Sequence, residues 1–102
     1  MVKNVKYNYT IRNINSKDRW IFIKSDFEFE LDEPDDFVDL VKTIHDDVNG
    51  TIVDNGMMKY SIKNDGYGLI YQWDDLFGTV IIYPENVTET EVVDFLSKYM
   101  KK

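Results

Sequence analysis

The chain has 102 residues, of which 43% are hydrophobic and 15% aromatic, and it carries a net charge of −7. This length predicts one domain over residues 1–102, and the apolar and aromatic content is that of a folded protein rather than a disordered one. The absence of cysteine excludes disulfides, thiolate metal sites and cysteine nucleophiles. No apolar run reaches the roughly 18 residues that span a bilayer, so we expect a cytoplasmic protein.

Alternation of apolar and polar residues predicts two strands at the start of the chain. The first covers about 5–12 and is followed by a loop over 13–18. The second covers 20–31 and places Trp20 and Phe22 on one face, which becomes acidic in the second half of the strand. A break in this second strand is expected where the character of that face changes.

A helix is predicted between Pro34 and Asn49, because Phe37, Leu40 and Ile44 recur at helical spacing. Proline suits the first helical turn, where no amide donor is needed, and the Asn-Gly pair is typical of a helix end.

The rest of the chain predicts a meander of strands and a second helix. The strands cover about 57–63, 67–73 and 77–83, with a short extra strand over 51–53. A capping box, Thr88-Glu89-Thr90-Glu91, begins the last helix. This order predicts an α+β two-layer sandwich with two helices and a mostly antiparallel sheet of five to six strands.

The central strands carry apolar residues on both faces. Leu69, Tyr71 and Trp73 lie on one side of their strand, and Ile70 lies on the other. Three arrangements account for this pattern. The helices cover opposite faces of the sheet, the sheet curls on itself, or one face stays uncovered and serves as an interface.

The segment from Asp26 to Asp47 holds ten of the nineteen carboxylates and one strong base, Lys42. Such a block can repel nucleic acid, attract a basic protein or hold a hard cation, and it can also be only a solvated face. The turn over 47–54 has oxygen donors but departs from the EF-hand pattern in its glycine position and in lacking a closing glutamate.

Recognisable catalytic patterns are missing from the sequence. His45 is the one histidine, and no nucleophile and orienting acid are recognisable beside it. The glycines form no phosphate-binding loop, and a sequence pI of about 4.5 disfavours nucleic-acid binding. We therefore predict no enzyme activity, no catalytic residue, no cofactor and no metal site.

In size, acidity and lack of catalytic patterns, the chain resembles the small acidic inhibitors and immunity proteins that neutralise basic nuclease toxins. The resemblance implies a non-catalytic interaction protein that binds a basic partner, because carboxylates imitate phosphates and steer association. Neither nucleic acid nor a membrane is expected as a partner. The predicted partner-binding residues are Asp26, Glu28, Glu30, Asp32, Glu33, Asp35, Asp36, Asp39, Trp20, Phe22 and Trp73.

Two other classes of function remain open from the sequence. The first is a structural module that forms a homodimer or larger oligomer through an aromatic sheet face, with the acids present for solubility. The second is a metal-binding protein or small enzyme that uses the carboxylates.

Overall fold

A computed structural model describes residues 5–26, 34–64, 67–74 and 76–100. All six strands form one antiparallel sheet in the order β1-β2-β6-β5-β4-β3. The predicted α+β sandwich with two helices is thereby confirmed. The elements in chain order are β1 (Tyr9–Asn15), β2 (Trp20–Ser25), α1 (Asp35–Val48), β3 (Thr51–Asp54), β4 (Lys59–Asn64), β5 (Tyr67–Asp74), β6 (Gly78–Ile82) and α2 (Glu89–Ser97).

Both helices pack on the same face of the sheet. The core cluster takes alternate strand residues, among them Ile21, Ile81 and Tyr71, together with Phe37 and other buried residues from both helices. Because successive strand residues point to opposite faces, all of these strand residues share one face, here called the inner face. No helix of the described residues packs on the opposite, outer face, so the two described helices do not cover opposite faces of the sheet.

The first strand begins later and ends later than the alternation predicts. Its pairing with β2 skips a residue between Ile11 and Asn13, so Arg12 forms a bulge. The bulge restores Ile14 to the inner face, where it packs against the core. The predicted loop over 13–18 was therefore wrong for its first three residues, because strict alternation does not allow for the extra residue.

The helix ends largely follow the sequence signals. Asn49 caps α1 in the left-handed conformation, with φ 53° and ψ 36°. The hydroxyl of Thr88 accepts a hydrogen bond from the Glu91 amide at 3.2 Å, as the capping box predicts. Pro34 occupies the N-cap of α1 rather than its first turn and provides no side-chain cap.

Candidate functional site

The described carboxylates at the start of α1 hold the N-terminal segment, residues 5–8, against the helix. Lys6 donates its backbone amide to Asp39 Oδ2 at 3.0 Å and its ammonium group to Asp35 Oδ2 at 3.0 Å. The hydroxyl of Tyr7 donates to the same Asp35 oxygen. These bonds fix a segment that the alternation predicted as strand, and they use two acids of the predicted partner-binding set.

A buried tyrosine continues this network into the core. The Tyr9 hydroxyl lies 2.6 Å from both Asp39 Oδ2 and the Asp36 carbonyl oxygen, and its side chain is buried. Ser25 donates to Asp36 Oδ2 at 2.6 Å from the end of β2. The acids of α1 therefore connect the first two strands to the helix.

Two more acids of the block are engaged in the same way. Asp26 accepts hydrogen bonds from the backbone and side-chain amides of Asn8, at 3.1 and 2.8 Å. Asp47 accepts a hydrogen bond from the Tyr99 hydroxyl at 2.6 Å. The remaining predicted acids, Glu28, Glu30, Asp32 and Glu33, lie outside the described residues.

These contacts shift the pKa values of some of the groups that take part in them. The hydrogen bond from Tyr7, with the contact from Lys6, lowers the pKa of Asp35 below its usual value. The same carboxylate raises the pKa values of Tyr7 and Lys6. Burial, followed by the hydrogen bond to Asp39, raises the pKa of Tyr9 far above its ordinary value. The N-terminal network therefore favours the neutral forms of Tyr7 and Tyr9 and the ionised form of Asp35.

An apolar row crosses the outer face of the sheet. Trp20 lies opposite Ile82, and Ile82 lies opposite Ile70 in the strand ladders. Directly opposed residues share a face, so these three side chains are neighbours. Each is partly exposed, and Val53 on the same face of β3 is 48% exposed.

Aromatic side chains cover the β2 side of this face. The rings of Trp20 and Phe22 meet edge to face at 6.1 Å, and Phe77 lies 5.7 Å from Phe22. The Arg12 guanidinium lies 5.6 Å from the centre of the Phe22 ring and donates to the Phe77 carbonyl oxygen at 3.3 Å. The faces of Phe22 are therefore already covered within the chain.

Among the residues that the structure describes, four cations surround the apolar row on the outer face: Arg12, Lys24, Lys59 and Lys63. Along β4, Lys59 and Lys63 lie on the outer face, whereas Tyr60 and Ile62 pack in or against the core. This alternation is visible in the sequence, but the predicted partner-binding set does not include the two lysines. In the described part of the chain none of these four cations has an ion-pair partner. The described carboxylates on this side, Asp26 and Asp74, accept hydrogen bonds from the chain itself.

The helical layer, α1 and α2, has the opposite charge. The two helices contain eight carboxylates and one lysine. The predicted partner-binding residues consequently do not form one surface. Trp20 and Phe22 lie on the outer face, Asp35, Asp36 and Asp39 lie on α1, and Trp73 packs against the core from the inner face.

The described residues give little support to a metal site, a catalytic histidine or a membrane-spanning helix. No group of three or more histidine or carboxylate side chains there could hold a metal ion. The His45 ring lies 3.1 Å from the Gly50 carbonyl oxygen, at the end of α1. Neither α1 nor α2 has the length and apolar character needed to cross a bilayer, and no other helix is described.

Comparison with known proteins gives no relative for this chain. No protein-family model matches the sequence, and neither the curated proteins nor the solved structures yield a match.

Proposed function

We propose that the chain is a non-catalytic protein-interaction module that binds another protein through the outer face of its sheet. The observation that carries the proposal is the placement of both helices on the inner face. It leaves the row of Trp20, Ile82 and Ile70 partly exposed beside Phe77, which is 45% exposed. Apolar surface of this kind on a small domain marks interaction sites.

Self-association through this face is disfavoured by charge. Two outer faces stacked on each other would bring Arg12, Lys24, Lys59 and Lys63 of one copy against the same cations of the other. Like charges across an interface oppose association. The proposed partner is therefore a different protein rather than a second copy, in contrast to the homodimer considered from the sequence.

The test compares partner capture by three forms of the tagged protein from lysate of its source. The variant Ile70→Thr/Ile82→Thr keeps β-branched residues in both strands but makes the outer face polar. We expect it to lose a partner that the wild type retains. The matched control, Asp46→Lys/Asp94→Lys, changes the helical layer and is expected to keep that partner. Retention by the outer-face variant contradicts the proposal.

The second candidate is an acidic inhibitor that binds a basic partner, such as a nuclease toxin, through the helical layer. Its support is the excess of carboxylates in the two helices, of which Asp46 is 80% exposed. Asp36 and Asp39 are poor positions for a test, because they hold β2 and β1. Loss of a basic partner from the Asp46→Lys/Asp94→Lys form, with retention by the outer-face variant, favours this candidate.

A further inference from the structure

The two central strands of the outer face form an apolar lane between two charged borders. Val80 and Ile82 of β6 lie beside Gln72 and Ile70 of β5. At the end of the lane, the turn between these strands exposes 85% of Leu76. The accessible apolar part of the lane is thus Ile82 and Ile70, because Val80 is only 3% exposed and Gln72 is polar, and the lane runs into an exposed apolar turn.

Cations stand on both strands that flank this lane. Lys24 is on β2 on one side, and Lys59 and Lys63 are on β4 on the other. The Lys63 side chain lies over Gly68 of β5 and so extends toward the lane. Its Cγ atom is 2.9 Å from the position that a Cβ atom on Gly68 would occupy. Three strand spacings separate β2 from β4, which is about 14 Å.

This width matches one α-helix, whose diameter with side chains is about 10–12 Å. A helix along the lane would place its apolar stripe on Ile82 and Ile70. Its two flanks would then meet Lys24 on one side and Lys59 and Lys63 on the other. Carboxylates on those flanks would neutralise cations that have no ion-pair partner among the residues described.

We infer that the outer face binds an amphipathic acidic helix of a partner protein, which would complete a second helical layer on the sheet. The inference rests on the proposed function and adds the chemistry and shape of the partner. The chain's own α1 covers the inner face in the same manner, with buried Phe37, Leu40 and Ile44 and acidic residues beside them. Single-stranded nucleic acid fits less well, because Arg12 already covers the Phe22 ring on which a base would stack.

The probe is a synthetic helical peptide with a leucine stripe and glutamates on both flanks. Its matched control has the same stripe with lysines in place of the glutamates. Each is titrated into the intact isotope-labelled protein and followed by NMR. We expect the glutamate peptide to shift the signals of Ile70, Ile82 and the Trp20 indole, and to bind at least about tenfold more tightly than the lysine peptide.

Charge-reversal variants test whether the lysines of the outer face cause the preference for the glutamate peptide. Lys59→Glu/Lys63→Glu is expected to reverse the preference between the two peptides. Lys42→Glu/Lys98→Glu makes the same change in net charge on the helical layer and is expected to leave the preference unchanged. Equal binding of both peptides, absence of binding, or shifts confined to the helical layer would overturn the inference.

Two further titrations test whether a second copy of the chain or single-stranded DNA binds the outer face instead. Concentration-dependent shifts of Ile70 and Ile82 in the protein alone, or stronger shifts with a short oligothymidine than with the glutamate peptide, would also overturn the inference. Its failure is distinguishable from failure of the proposed function. A natural partner that is lost from the Ile70→Thr/Ile82→Thr variant supports an outer-face module even where the acidic helix does not bind.

Discussion

Thr79 places a hydroxyl group in the core on the inner face of β6, where the residue is 2% exposed. Its Oγ1 atom has no hydrogen-bond partner within the described ranges. A buried polar group without a partner costs about 1–3 kcal/mol, because its hydration is lost and not replaced. This single atom therefore lowers the stability of the fold.

Replacement of Thr79 by valine is expected to raise the free energy of unfolding by about 1 kcal/mol, since the shape is kept and the unpaired hydroxyl removed. Urea denaturation measures the change. Thr10→Val, at an exposed position of β1, is the control and should have little effect. A loss of stability in Thr79→Val would show that the hydroxyl has a partner in the folded protein.

The turn between β3 and β4 has two methionines in left-handed conformations. Met57 and Met58 have φ values of 53° and 59°, and Lys59 N donates to the Gly56 carbonyl oxygen at 3.1 Å. Two central residues with positive φ are typical of a type I′ turn, which favours Asn-Gly. Methionine is a poor residue for either position. Met58 packs against the core, whereas Met57 is 97% exposed, so packing does not compensate for the backbone cost at Met57.

Met57→Asn is therefore expected to stabilise the protein by about 1 kcal/mol, because asparagine tolerates the positive φ at this exposed position better than methionine does. The rise in melting temperature provides the measurement. Met57→Ala keeps the unfavourable φ and serves as the control, with no comparable gain expected. A Met57→Asn variant that melts at or below the wild-type temperature would contradict this explanation.

At the scale of elements, the acids of α1 hold the N-terminal segment and β1 in place. The central bond joins the buried Tyr9 hydroxyl to Asp39. In the unfolded chain tyrosine titrates near pH 10, whereas the pKa of folded Tyr9 is raised. The contribution of this group is fully present below about pH 10 and is lost as pH rises further, because only the unfolded state then releases the proton.

Tyr9→Phe is expected to cost about 1–2 kcal/mol at neutral pH, because Asp39 loses a buried donor. Above about pH 10 the variant should lose stability less steeply than the wild type, since phenylalanine does not titrate. Denaturation curves between pH 7 and about 11 test both statements. Parallel pH profiles for the two proteins would contradict the assigned role of this hydroxyl.

The element pattern could be predicted where local chemistry dictates it. The Thr88 capping box and the Asn49 cap mark helix ends through bonds between near neighbours in the chain. Alternation and turn signals located five of the strands and indicated β3 as a short extra one. They misplaced both ends of β1, the later end because the Arg12 bulge changes the period.

The site could not be predicted to the same extent. Whether the helices share a face is decided by packing between distant segments. The partners of Asp39 and Asp47 are likewise distant in sequence, at Tyr9 and Tyr99. The acidic block therefore looks like one free surface in the sequence, although all of its described members except Asp46 connect separate segments.

At the scale of the molecule, the described residues are electrically asymmetric, with an acidic helical layer and cations on the outer face. Asp46 contributes to the repulsion between carboxylates in the helical layer. Its position is also unfavourable by itself, because it lies in the last turn of α1, where the helix dipole favours a positive charge. Exposed charges of this kind are screened by salt.

Added salt is therefore expected to raise the melting temperature of the wild type. Asp46→Lys/Asp94→Lys should melt about 2–4 °C higher than the wild type at low ionic strength and respond less to salt, because the repulsion is already reduced. Differential scanning calorimetry over a salt series provides the comparison. The same salt response in both proteins would show that helical-layer repulsion is not significant.

The order of strands also determines when the protein can fold during its synthesis. β6 lies between β2 and β5, so the hairpin β1–β2 and the meander β3–β5 share no ladder until β6 has been made. Trp20 must then pair with Ile82, although most of the chain lies between these two residues in the sequence. Such distant pairing slows folding and leaves strand edges exposed on the nascent chain. We therefore expect a ribosome-bound chain that stops before Gly78 to be cleaved readily by protease, and one that includes α2 to be resistant.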